Sequence, residues 1–193
     1  AIQVEHFGGP ERLTLVDVPI PRPDPGEVLV RLAHAGINYI DVYMRDGSYA
    51  RSHTYKTPLP MTLGMEGCGR IEHLGDGVSG LRIGETVAYC LSRGSYAEYA
   101  VVPAWKLVPV PDGTAPAIAT ALMLQGSTAH YLTHSAFPLK RGDTCLIHAG
   151  AGGVGQLLIQ LAKRAGATVI TTVGSADKAH IARDRGADHV ILY

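Results

Sequence analysis

The stretch DTCLIHAGAGGVGQLLIQLAKRAGATVITTVGSADK, Asp143–Lys178, decides how the chain is read. It opens with a short apolar run, Thr144–Ala149, of the length expected for a buried parallel strand. A complete GxGxxG follows: Gly150, Ala151, Gly152, Gly153, Val154, Gly155. Next comes a helical pattern, with Val154, Leu158, Leu161 and Ala165 on one face and Gln156, Gln160, Lys163 and Arg164 elsewhere, stopped by Gly166. A second apolar run, Thr168–Val173, completes strand, glycine turn, helix and strand within about the 30 residues that a βαβ unit takes.

Each glycine has a separate task in this reading. Gly150 permits a tight turn, Gly152 lets backbone approach a diphosphate, and Gly155 lets the helix pack closely on the strand. The free N–H groups and the dipole at the helix start favour negative charge there. A GxGxxG alone is weak evidence, and one set between a strand and a helix is strong. The competing reading is a purely structural glycine turn.

The end of the second strand selects the cofactor. Sites for NAD place Asp or Glu there, roughly 20 residues past the glycines, against the ribose 2′-hydroxyl. This chain has Val173-Gly174-Ser175 instead, with Lys178 three residues on. A small uncharged turn plus a cation suits a 2′-phosphate, so NADPH is expected. In the alternative, Ser175 only caps the next helix and Lys178 lies in solvent, and the two roles can coexist. Asp177 keeps NAD open as a minority reading.

The chain has 193 residues, enough for one or two domains, and 46% of them are hydrophobic. Lys+Arg and Asp+Glu both number 17, which argues against a basic nucleic-acid surface. No apolar run approaches membrane-spanning length. Cys68, Cys90 and Cys145 are odd in number and far apart, so no disulfide framework is expected and a cytoplasmic location is. The absence of a starting Met reads as processing or trimming.

Residues 1–110 read as all-β. Apolar runs at Ile2–Val4, Leu13–Val18, Glu27–Ala35, Gly69–Leu74, Thr86–Leu91 and Tyr96–Val102 alternate with Gly and Pro turns. Asn38–Asp46 reads as a short helix and 47–60 as a polar loop of functional interest. From Pro116 to Phe137 the chain turns Ala- and Leu-rich, which predicts one or two helices with Gly126 between them. The domain boundary is placed near 118, giving domains 1–118 and 119–193. A last short strand, His189–Tyr193, ends the chain. Three strands and two helices make half of a doubly wound sheet, one edge of which has nothing to pair with, so a fragment of a longer protein is expected.

Seven stretches carry a family resemblance: PGEVLVRLAHAGINYIDVYMRDGSY (25–49), LGMEGCGRI (63–71), GSYAEYAVVPA (94–104), LQGSTAHYL (124–132), HAGAGGVGQ (148–156), TVGSADK (172–178) and GADHVILY (186–193). On them the chain resembles the zinc-independent branch of the medium-chain dehydrogenase/reductases, and most closely the NADPH:quinone oxidoreductases of the zeta-crystallin-like group. The resemblance implies an α/β chain: a GroES-like β-barrel domain with the substrate and catalytic groups, then the first half of a Rossmann doubly wound parallel sheet that binds NADP. It implies an active site in the cleft between the domains and a homodimer at full length.

The zinc branch has a catalytic Cys where this chain has Asn38, and Gly-His-Glu where it has Gly64-Met65-Glu66. Met and Asn are poor zinc ligands. The short span Tyr89–Arg93 leaves no room for that branch's four-cysteine lobe, so no metal is expected. His130 and His134 lack an acidic neighbour and read as a helix-surface pair. A metal-free hydride site suits acceptors that are already electrophilic, a quinone or a conjugated enone.

By resemblance, Asn38 and Tyr43 lie near the nicotinamide and the acceptor, and Asp41 is a candidate proton relay. From the residues alone, Asn38 reads equally as a helix N-cap, Tyr43 as half-buried packing, and Asp41 as a solvent-facing acid. The resemblance puts Gln125 and Thr128 in the cofactor channel, although the family commonly has Lys at the position of Gln125. It puts Tyr193 beside the 2′-phosphate with Gly174, Ser175 and Lys178, and the backbone of Gly150, Ala151, Gly152, Gly153, Val154 and Gly155 around the diphosphate. The implied activity is NADPH-dependent quinone reduction. The alternatives are a 2-alkenal or enoyl reductase and a non-catalytic, crystallin-like NADPH-binding protein or inactive fragment.

Overall fold

A computed structural model of the chain describes residues 1–55 and 57–193. The chain divides into two compact units, Ala1–Met123 and Leu124–Tyr193.

The first unit is built on β3 (Glu27–Ala35), whose Val28, Leu29 and Val30 are all buried. β3 pairs antiparallel with β5 (Glu66–Leu74) and with β7 (Tyr99–Pro103). β6 (Thr86–Cys90) and β8 (Val108–Pro109) extend the sheet to the order β7-β3-β5-β6-β8. Its core joins Val28, Val30, Ile71, Val87, Tyr89 and Val102, each large side chain stabilising by about 1.5–3 kcal/mol. A second sheet, β2-β1-β4, uses Ile2–Val4 (β1), Thr14–Leu15 (β2) and Met61–Thr62 (β4). It is tied to the first unit's loops by Ile2 N–H donating to Tyr96 O at 2.7 Å. Among the described residues no closed barrel forms, because β7 and β8 remain the two edges of the larger sheet.

Helix α1 (Tyr39–Asp46) follows β3, with Asn38 at its N-cap and Gly47 closing it at φ 88°. Of the polar loop expected at 47–60, the described residues are turns and bends; Lys56 lies outside them. Helix α2 (Pro116–His130) runs through Gly126 without a break, so of the one or two helices expected over this stretch a single α-helix crosses the glycine. It continues as a π-helical segment, Tyr131–Ala136. A single Gly costs a helix only about 1 kcal/mol, too little to interrupt an otherwise apolar run.

The second unit is β9 (Thr144–Ile147), α3 (Gly153–Ala165), β10 (Thr168–Val173), α4 (Ala176–Asp184) and β11 (His189–Leu192). The strands are parallel in the order β11-β10-β9. The buried stripe of α3 is Gly155, Ile159 and Ala162, rotated from the expected Val154, Leu158, Leu161 and Ala165. The rotation follows from Gly155, whose missing Cβ lets the helix backbone sit against Ala149 and Gly150, just past the end of β9. Asp188 locks the entry to β11, accepting from Val169 N–H at 2.7 Å and Lys163 Nζ at 2.8 Å.

Gly69 in β5 is required by its neighbour. A Cβ there would stand 2.0 Å from the backbone oxygen of Arg31 on β3, and that oxygen cannot yield. Gly69→Ala is expected to destabilise the chain by about 3 kcal/mol, read as a fall in the urea midpoint; an unchanged midpoint would contradict the β3–β5 register.

Candidate functional site

The chemistry-bearing residues form two clusters, one in each unit. In the second, the chain leaves β9 through Ala149, at φ 52°, and enters α3 through Gly152 at its N-cap. The left-handed residue of the turn is therefore Ala149, not Gly150 as the sequence implies. Gly150 is needed for space instead: a Cβ would meet Thr171 Oγ1 at 2.1 Å. That hydroxyl, fully buried, donates to Ile147 O at 2.6 Å and fixes the floor of the turn. Gly155 allows the close packing expected of it, since a Cβ would meet Ala149 O at 2.3 Å.

Gly152 is exposed, and a Cβ would touch only Ala149 O at 3.2 Å. That face of the turn is open. The first bond into α3 runs from Gln156 N–H to Gly152 O at 2.9 Å, so the N–H groups of the preceding turn, Gly153–Gly155, remain for a ligand or water. Gln125 packs against Gly153, its Oε1 2.0 Å from where a Cβ would lie. Thr128 turns back on its own helix and donates to Leu124 O at 2.7 Å.

Parallel strands bring the far end of β10 to the same edge of the sheet as the glycine turn, and Gly150 N–H donates to Thr172 O at 3.1 Å. There Ser175 caps α4, its Oγ accepting from Lys178 N–H at 3.3 Å. The capping reading of Ser175 thus holds, and the side chain of Lys178 is exposed beside it. The ring of Tyr193 lies 3.8 Å from where a Cβ of Gly174 would be. Gly174, Ser175, Lys178 and Tyr193 are gathered in one place.

The cluster of the first unit is built at the start of α1. Asn38, Asp41 and Glu66 are buried. Asn38 Nδ2 donates to Glu66 Oε2 at 2.7 Å. Asp41 is not the solvent-facing acid expected from the residues alone. Its Oδ2 accepts from Asn38 N–H at 2.9 Å and from the Tyr96 hydroxyl at 2.8 Å, while among the described residues its buried Oδ1 makes no hydrogen bond of good geometry, with only the backbone N–H groups of Gly64 and Met65 directed at the carboxyl. Burial pushes the Asp41 carboxyl above its usual range, against the pull of Asn38 N–H and Tyr96. Burial, and then the charge of Asp41, push the Tyr96 phenol up as well.

A cavity of about 370 Å³ opens on this cluster, lined by Leu13, Ile37, Asn38, Asp41, Arg45 and Tyr96 among others. A larger groove, about 580 Å³, lies beneath Ile20–Pro25 and reaches none of the predicted site residues. Tyr43 is 39% exposed and packs between Tyr39 and Tyr49, each at 5.5 Å between ring centroids. The His130 and His134 rings stack at 4.2 Å on the surface. Sequence reading missed Tyr96, which sits 55 residues from its partner Asp41, and Thr171, which looks like an ordinary β-branched strand residue.

Together the units define a mixed α/β chain that joins an antiparallel-sheet unit to the start of a Rossmann-like nucleotide-binding sheet. Residues 24–112 match the alcohol dehydrogenase GroES-like domain family and residues 153–193 the zinc-binding dehydrogenase family. The chain is 42% identical over 193 residues to a quinone oxidoreductase of Pseudomonas aeruginosa, covering 100% of this chain and 58% of that protein. It is 39% identical over 196 residues to a 2-haloacrylate reductase of a Burkholderia species, again covering 100% and 58%. A mycobacterial protein solved in complex with NADPH superposes with a TM-score of 0.94 at 44% identity, over 100% of this chain and 58% of the other. The chain is thus similar along its whole length to dehydrogenases and quinone oxidoreductases built from these two domains, and it spans about 58% of the length of these relatives.

The second family's description raises zinc, and the residues do not fit it. Glu66, the carboxylate at the corresponding place, is spent on the amide of Asn38. Its neighbour Met65 carries a neutral thioether, which is not among the thiolate, imidazole and carboxylate ligands that zinc takes. Among the described residues no three His, Cys, Asp or Glu side chains converge on one point.

A raised Asp41 pKa has a definite sign. The folded state then holds the proton more tightly than the unfolded chain, whose carboxyl titrates near 3.8. The contribution of Asp41 is therefore most favourable below that value and is lost as pH rises through the folded pKa. In Asp41→Asn that component of the stability–pH curve should vanish, measured by urea unfolding from pH 4 upward; an unchanged curve would mean the carboxyl is not desolvated.

Proposed function

We propose that this chain is part of a cytoplasmic NADPH-dependent quinone reductase that transfers hydride to its acceptor without a metal. The observation that carries the reading is the open glycine turn, Gly150–Gly155, beside the acid-free end of β10. The names of the relatives support it, as does the mycobacterial complex with NADPH. Three cysteines without a disulfide among them and balanced charge fit a cytoplasmic protein that acts on a small molecule rather than on nucleic acid. Among the described residues no helix is long and apolar enough to cross a membrane. The full-length protein is proposed to be a homodimer.

A bound NADPH supplies the hydride. The chain's own residues supply its place. The N–H groups of Gly153, Val154 and Gly155 and the open backbone of Gly150, Ala151 and Gly152 receive the diphosphate. Lys178 and the Ser175 cap receive the 2′-phosphate, with Tyr193 and Gly174 forming the wall beside them. Gln125 and Thr128 line the channel, Gln125 with an amide in place of a charge. Asn38 and Tyr43 face the acceptor, and the Tyr43 phenol is exposed enough to donate to its developing oxyanion. Asp41 acts through Asn38 and Tyr96, holding both by one carboxylate oxygen. The domain roles follow: substrate groups in 1–118 and the cofactor in 119–193.

A second reading, reduction of a conjugated alkene, is favoured by the likeness to the Burkholderia reductase. The full-length protein, assayed with NADPH on a panel of quinones and enones, is expected to reduce quinones, with turnover unaffected by a chelator. Turnover of enones alone would overturn the quinone reading. Lys178→Ala is expected to weaken NADPH by roughly tenfold or more and NADH little; equal losses would mean that the lysine does not meet the extra phosphate.

A further inference from the structure

The carboxamide of Gln156, in the first turn of α3, is bonded at both ends. Its Nε2 donates to the carbonyl of Ala151 at 3.0 Å, and its Oε1 accepts from Arg185 Nε at 3.0 Å. Arg185 is the residue that closes α4, so one amide joins the end of α4 to the middle of the glycine turn. The peptide between Ala151 and Gly152 is held on both sides. Its carbonyl is held by Gln156, and its N–H donates to the carbonyl of Ala149 at 2.8 Å. In a planar trans peptide these two groups point in opposite directions. Neither can rotate without breaking both bonds.

The other supports of the turn act by packing. Thr171 fills the space behind Gly150, and Gln125 fills that beside Gly153. Packing against a Cα does not decide which way a peptide faces; a hydrogen bond to its oxygen does. An amide is also the side chain that meets both demands here, because it must donate to a carbonyl and accept from a guanidinium at once.

We propose that Gln156, oriented by Arg185, is a positioning residue for the diphosphate of the dinucleotide. It keeps the Ala151 oxygen engaged, so that the turn offers a diphosphate N–H donors and not a free carbonyl. The inference rests on the reading of this turn as a diphosphate cradle. It adds two residues that do not touch the ligand themselves.

Gln156→Glu separates this role from general stability. The carboxylate keeps its partner Arg185 but sets an acceptor against the Ala151 oxygen. On the full-length protein, calorimetric titration should show the NADPH Kd raised by roughly five- to tenfold. The Kd of adenosine 2′-monophosphate, which carries no diphosphate, should be unchanged, and Tm should hold within about 2 °C. Gln156→Met, of similar length and uncharged, should behave alike and serves if the Glu variant does not fold. Arg185→Ala should shift NADPH in the same direction by less. Unchanged NADPH affinity, or equal losses for both ligands, would overturn the inference while leaving the cradle intact. Failure of the unaltered protein to bind NADPH would overturn the cradle and the inference together.

Discussion

The close approach of α3 to the end of β9 governs the second unit. Gly155 lets the helix backbone come within reach of the Ala149 carbonyl, where any Cβ would collide at 2.3 Å. From that contact follow the buried stripe of α3, with Ile159 and Ala162 against the sheet, and the direction in which the helix's first N–H groups are presented. The turn is then braced from below by Thr171, whose hydroxyl satisfies Ile147 O in a fully buried position. Main-chain geometry, more than side-chain chemistry, gives this end of the sheet its positive partial charge.

The first unit solves a different problem, that of holding polar groups in a dry place. Glu66 is 1% exposed and lies so close to Gly36 that a Cβ there would stand 1.9 Å from its Oε2. A buried carboxylate persists only with donors at hand, and Asn38 gives it one. Asn38 is in turn held by Asp41 through its backbone N–H. The cap of α1 and the polar lining of the cavity are therefore the same few atoms. Nearby, Tyr89 bonds Ser95 at 2.9 Å, and burial pushes its phenol up to about 12.

Elements with many partners in one pattern were legible. β3 and β10 occupy the residues expected of them, because their apolar runs are bounded by Gly or by turn chemistry. The two-residue strands Met61–Thr62 and Val108–Pro109 were not legible, since a strand that short is made by its neighbour and not by its own pattern. The run at Leu13–Val18 shrank to Thr14–Leu15 for the same reason. At the site, local signals served well: the glycine motif, the Ser175 cap and the Asn38 cap all depend on residues within a turn or two. The surroundings of Asp41 were hidden because its partner Tyr96 comes from a distant loop. The π-helical continuation of α2 has no sequence signal that we recognise.

The most direct measurement of the central claim is a titration of 15N-glycine-labelled full-length protein with NADPH, followed by amide chemical shifts. The account predicts that the signals of Gly152, Gly153 and Gly155 move together and saturate with the ligand, while that of Gly69 stays in place. Saturable binding that leaves those three signals unmoved would show that the diphosphate lies elsewhere and would contradict the account.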